Sequence, residues 1–101
     1  MSRRFFPSPV IGITVSPSPN ECRQLSENAF ELTKPLLPVK DAEEIRAYIY
    51  DHNEWGLGIE TLAACLLEDE IPVSWQQKHA ITAAMKAMGL KGNYSKIEVF
   101  S

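Results

Sequence analysis

Between Glu54 and Pro72 the chain sets apolar side chains at helical intervals and then stops them on a proline. Ile59, Leu62, Ala63, Leu66 and Leu67 follow the i, i+3, i+4, i+7, i+8 pattern, so one side of this stretch belongs in a core. Gly58 and Ala63 are small enough to let neighbouring backbones come close. Glu60 and the run Glu68-Asp69-Glu70 are its polar remainder, and Pro72 cannot continue a helix. This predicts a central helix with acid gathered at its C-terminal end. The dipole disfavours negative charge there by ~0.3–1 kcal/mol, so local stability does not account for the run.

Three further helices flank it in the pattern. Over 19–33, Ser18-Pro19-Asn20-Glu21 combines an N-capping serine, a first-position proline and a glutamate three residues after the cap. Cys22, Leu25, Ala29 and Leu32 then form one apolar stripe with Phe30 at its edge. Pro35 and Pro38 end it, in a stiff connector whose leucines are expected to cover the core. Over 42–53, Asp41 is the expected cap, and Ile45, Tyr48, Ile49 and His52 the shared face. The short joint Asn53-Glu54-Trp55-Gly56 implies near-antiparallel packing of this helix and the central one. Over 75–88, Ser74-Trp75-Gln76-Gln77 is a capping box, Ile81, Ala84, Met85 and Met88 the buried stripe, and Gly89 a left-handed C-terminal stop followed by Leu90.

The two ends of the chain are less determined. Val10-Ile-Gly-Ile-Thr-Val15 is β-branched enough for a short strand, whereas Pro7, Pro9, Pro17 and Pro19 favour an extended arm. Tyr94 to Phe100 alternates weakly: either a strand pairing with 10–15, or a tail that docks Ile97 and Val99 on the helices. The predicted fold is therefore all-α, a small four-helix domain over 18–101, with an extended or short-strand N-terminal arm over 1–17 and a C-terminal tail.

Composition sharpens this picture. At 101 residues, 45% hydrophobic and 23% charged, the chain fits one soluble globular domain. No apolar run approaches the ~20 residues needed to span a bilayer, and the start lacks a signal-peptide core. Cys22 and Cys65 are expected as free buried thiols in a reducing, cytoplasmic setting.

The net charge of −3 hides an asymmetry: residues 41–70 carry nine acids and only Arg46, a net −8. Such a middle third argues against nucleic acid, which needs a basic footprint, and is compatible with a basic partner.

Candidate chemistry is sparse. No Gly-rich phosphate loop or metal-spaced cluster is present, and no second ligand stands at helical spacing from His52. Asp51 and His52 point about 100° apart on a helix and cannot orient one another. A Cys65/His79 nucleophile couple is conceivable, but a thiol between Ala64 and Leu66 reads as an inert core group. Neither enzyme activity, metal nor cofactor is expected. What remains is recognition. Trp55 and Trp75 each begin a helix beside polar residues and are either core edges or interface anchors. Lys78 and Lys86, on the more basic fourth helix, are expected to matter little to an acidic surface.

The residues of 42–90 also resemble a known family. Glu54-Trp-Gly-Leu-Gly-Ile-Glu-Thr-Leu62, Leu66, Glu68, Ile71-Pro72-Val73-Ser74 and Met88-Gly89-Leu90 are similar to the MafI-type immunity proteins of bacterial polymorphic toxin systems. That family has a "GEYGLALETL" segment, a leucine-rich helix, an "E…(V/I)P(I/V)S" turn and a helix ending in "MGL". Here Asn53-Glu54-Trp55 stands where "GEY" is usual and Gly58 replaces the alanine. The resemblance implies a small helical protein that binds and blocks a cognate toxin, often a nuclease, in the cell that makes both. On that reading the partner is a basic protein, not nucleic acid or membrane, and the contact residues are Asp51, Glu54, Trp55, Glu68, Asp69 and Glu70. The alternative is a helical adaptor with a different protein partner.

Overall fold

The computed structural model describes residues 18–92 and 94–100. The strand or arm expected at 10–15, and its pairing with the tail, lie outside the described residues. Four helices make up the fold, as the pattern predicts: α1 (Pro19–Thr33), α2 (Val39–Arg46), α3 (Trp55–Glu68) and α4 (Trp75–Ala87). None is long and apolar enough to cross a membrane among the described residues.

Both capping boxes form. Ser18 Oγ accepts from the Glu21 amide while the Glu21 carboxylate accepts from the Ser18 amide; Ser74 and Gln77 repeat the exchange. Gln77 does more than the motif requires, because its Nε2 also donates to the Leu32 carbonyl at 2.8 Å. At the other end the Cys22 thiol points at the Ala87 carbonyl, and Ser26 Oγ lies 3.8 Å from Met88 Sδ. The start of α4 thus meets the end of α1, and the end of α4 meets its start. The two helices run antiparallel, pinned at both ends.

The buried face of α1 is rotated from the expected stripe. Ser26, Ala29, Phe30 and Thr33 are buried, whereas Cys22, Leu25 and Leu32 are only partly covered. Two hydroxyls sit inside because each is satisfied by its own helix: Ser26 donates to the Cys22 carbonyl and Thr33 to that of Ala29, both at 2.8 Å. Apolar periodicity alone could not reveal that two polar side chains line the core.

α2 starts at Val39, not 42, with Pro38 preceding it and no side-chain cap; Asp41 lies inside the first turn instead of capping it. The helix then widens into a π turn over Ala47–Asp51, in which the His52 amide donates back to Ala47 and that of Glu54 to Tyr48. That widening, together with Asn53 at φ 53°, swings His52 to solvent, off the face expected for it. Ile45 and Ile49 remain buried. The reason for the tight joint is visible at Gly58: a Cβ there would lie 2.6 Å from Ile49 Cγ1 and 3.4 Å from Tyr48 Cβ. Only glycine lets α3 approach this closely.

α3 touches each of the other three helices. Ile59, Leu62, Ala63 and Leu66 are buried in one core with Phe30, Ile45, Ile81, Ala84 and Met85; Leu67 is half-covered at its margin. The connector places Leu37 in the core and Leu36 at its edge. The tail docks. Ile97 is buried, and Val99 forms a parallel bridge with Val73, whose amide donates to the Glu98 carbonyl while the Phe100 amide donates to the Val73 carbonyl. Lys78 Nζ fastens it, donating to the Ser95 and Ile97 carbonyls at 3.0 and 2.9 Å. Lys78, expected to matter little, is therefore a structural strut that holds the tail.

Candidate functional site

α3 and α4 end by the same device. Beyond Met85 the Leu90 amide donates to the Met85 carbonyl and that of Gly89 to Lys86, with Gly89 at φ 66°. Beyond Leu66 the Ile71 amide donates to the Leu66 carbonyl and that of Glu70 to Leu67, with Glu70 at φ 52°. α3 consequently stops at Glu68, with Asp69 and Glu70 forming the terminating turn and not the last helical residues expected. The position that is glycine after α4 is glutamate after α3, and a side chain in the left-handed region is held there at a cost of order 1 kcal/mol.

Glu68, Asp69 and Glu70 are all exposed. None makes a side-chain hydrogen bond or ion pair with the described residues. Glu70 and Glu98 share the rim of a cleft of about 150 Å³ with Lys96, which joins the acidic turn to the docked tail.

The remaining expected contact residues lie elsewhere. Asp51 is held by Arg46 through Nη2···Oδ2 at 3.2 Å and Nη1···Oδ1 at 3.5 Å, an exposed pair worth little. Glu54 is exposed just before α3 and makes no capping bond. Trp55 is partly buried against the core, and its Nε1 is buried with no hydrogen-bond partner. Asp51, Glu54 and Trp55 stand at the start of α3 and the acidic turn at its end; 14 residues of helix, at ~1.5 Å each, separate the two groups by roughly 20 Å. The structure therefore divides the expected set in two.

A third group of acids joins the C-terminal set. Burial pushes the Cys65 thiol up to about 11, and the carboxylates of Asp41, Asp69, Glu68 and Glu44 add to the shift. α2 packs against α3, and Asp41 and Glu44 are thereby near enough to Cys65 for their charge to act on its thiol. In the π turn that follows α2, Tyr48 is raised chiefly by its 2.9 Å hydrogen bond to Glu44. Tyr50 is pushed up to about 12 by burial and by its bond to Glu31.

Cys22 and Cys65 are free thiols, half-buried and not fully enclosed as expected. His52 and His79 are both exposed. No group of three His, Cys, Asp or Glu among the described residues could hold a metal ion.

Large apolar side chains are also exposed among the described residues, Val39, Leu57 and Tyr50 as well as two at the start of α4 and in the tail. Trp75, first residue of α4, is 73% exposed, and Phe100 is 53% exposed. The sequence pattern left Trp75 undecided between core edge and surface. The signal that decides it is Gln77: once its amide turns inward to Leu32, position 75, about 200° away around the helix, must face out. Separately, a groove of about 560 Å³ opens between the end of α1 and the start of α2, floored by Phe30, Leu37 and Ala42 and edged by Lys34, Glu43 and Arg46. Compared with family models, characterised proteins and solved structures, the chain matches none.

Proposed function

We propose that this chain is a partner-binding protein of the immunity type, which neutralises a basic bacterial toxin domain in the cytoplasm of the cell that makes both. It occupies the toxin's substrate groove and performs no chemistry itself. One observation carries the reading: three exposed carboxylates without partners among the described residues close α3, where the dipole disfavours them, and one of them is held at positive φ. Folding gains nothing from this arrangement. A nuclease-type toxin is basic because it holds phosphates, so an acidic surface gains rapid, salt-sensitive association with it. Asp51 and Glu54 extend the same field toward the other end of α3. The resemblance to MafI-type immunity proteins points the same way. The apolar groove beside Phe30 and Leu37 is the feature that favours the alternative, an adaptor seating a partner's apolar side chains.

The test is to change Glu68, Asp69 and Glu70 together to lysine, moving the net charge from −3 to +3. Lysine suits a helix C-terminus, so helicity and melting temperature should hold. On this reading a toxin gene is expected beside this one; affinity for its catalytically silenced domain should collapse, and protection of toxin-bearing cells with it. Raising salt should slow association of the parent. A Lys86→Glu variant, on the opposite end of α4, serves as control. Full protection by the triple variant would reduce the acidic turn to a solvated helix end.

A further inference from the structure

We infer that docking is centred on the corner where α3 gives way to α4, with Trp75 as apolar anchor, Phe100 of the docked tail as a second exposed aromatic, and a basic protein face as the occupant. The inference rests on the binding reading above and changes its geometry: the start of α3, with Trp55, lies outside the contact.

Trp75 is exposed because its frame is rigid, not because it is loose. The Ser74–Gln77 capping box fixes the first turn of α4, and Gln77 bolts that turn to the Leu32 carbonyl of α1. The indole is thus presented outward from a backbone that cannot turn it in. Phe100 is held by the same corner. Its amide donates to Val73, two residues before Trp75, and Lys78 secures the two carbonyls just upstream. Two large aromatic side chains, 73% and 53% exposed, thereby project from anchored backbone at one corner. Tryptophan so placed, preorganised and open, is the residue type most enriched among binding hot spots.

Charge selects what covers it. Glu70 and Glu98 rim the cleft next to this corner, and Glu68 and Asp69 stand on the same turn. Among the described residues that line this cleft, Lys96 is the cation set against these carboxylates, and Lys78 is committed to the tail. A second copy of the chain would set this acid against itself across a two-fold axis. Anionic lipid headgroups and nucleic acid phosphates are repelled for the same reason. A protein face bearing arginine and lysine around an apolar slot fits on both counts: its cations meet the carboxylates, and a guanidinium can stack on the indole.

The experiment uses the full chain, titrated calorimetrically against the catalytically silenced product of the toxin gene that the binding reading expects beside its own. Trp75→Ala combined with Phe100→Ala, whose fold is checked by circular dichroism, should weaken binding about 100-fold. Leu57→Ala, which removes an exposed apolar side chain at the opposite end of α3, should leave affinity within about threefold. Sedimentation of the chain alone should show a monomer. If the aromatic pair binds as the parent does while the lysine triple variant does not, the binding reading stands and this anchor is overturned. A larger loss for Leu57→Ala than for the aromatic pair places the contact at the start of α3 and overturns it too. A self-associated chain that Trp75→Ala dissociates gives the surface to a second copy. No binding by the parent removes the functional reading and the surface built on it together.

Discussion

Two tryptophans occupy the same position, first residue of a helix, and meet opposite fates. Trp55 opens α3 after a compressed joint, where the π turn, Asn53 at positive φ and the missing Cβ of Gly58 pull α3 against Ile49. Its indole is drawn onto the core, with even its N–H enclosed. Trp75 opens α4 after the extended link Ile71-Pro72-Val73, where the inward partner is Gln77 and the indole is left in water. Local sequence preference does not distinguish them. What the backbone before the helix does, and which neighbour turns inward, decides the side on which position one falls. One end of α3 is closed around its aromatic; the other is open, acidic and aromatic at once.

The largest way to break the closed region is through its core. Leu62→Asp places an unpaired charge among fully buried side chains, at a cost of several kcal/mol against a total stability of order 5–15 kcal/mol. The variant should lose its cooperative melt by circular dichroism; a parent-like melt would mean that α3 is not central. A smaller change tests the joint itself. Gly58→Val must displace Ile49, which is buried, and overpacking of this kind costs ~1–3 kcal/mol. Chemical denaturation should show that loss, and an unchanged midpoint would show that the close approach is slack.

The open region responds in the other direction. Glu70→Gly relieves the left-handed backbone and should raise stability by ~1 kcal/mol, as glycine already does at position 89. A fall in the denaturation midpoint would show that the Glu70 side chain holds a contact the fold needs. The smallest effect lies in alkali. Cys65 and Tyr50 both have raised folded values, so the stability they contribute is complete below their ordinary values near 9 and 10. It should decline as pH rises from about 9 to about 12, through the folded values, and a melting temperature that increased over that window would contradict the sign.

Much of the architecture was legible. Capping boxes at Ser18 and Ser74 and the glycine stop at 89 are local devices, complete within a few residues, and each forms as expected. What escaped detection lies outside apolar periodicity and cap motifs. The α1 face rotated because Ser26 and Thr33 satisfy their own hydroxyls and so can be buried. The start of α2 moved because Pro38, not Asp41, precedes its first turn, and the π turn follows from packing on α3. At the site, sequence gave the acids of the turn but not their separation from Asp51 and Glu54, nor the exposure of Trp75. That exposure follows from one long-range hydrogen bond, Gln77 to Leu32, which no local pattern encodes.

Single-tryptophan fluorescence tests the contrast most directly. Trp55→Phe and Trp75→Phe should both fold, the first with little loss because it removes an indole N–H that has no partner. The chain retaining only Trp75 should emit at long wavelength and be quenched freely by acrylamide, and silenced toxin should suppress that quenching. The chain retaining only Trp55 should emit to the blue, resist quenching and not respond to toxin. Equal quenching of the two would contradict the division of the molecule into a closed and an open end. A response confined to Trp55 would place the partner at the end that the structure closes.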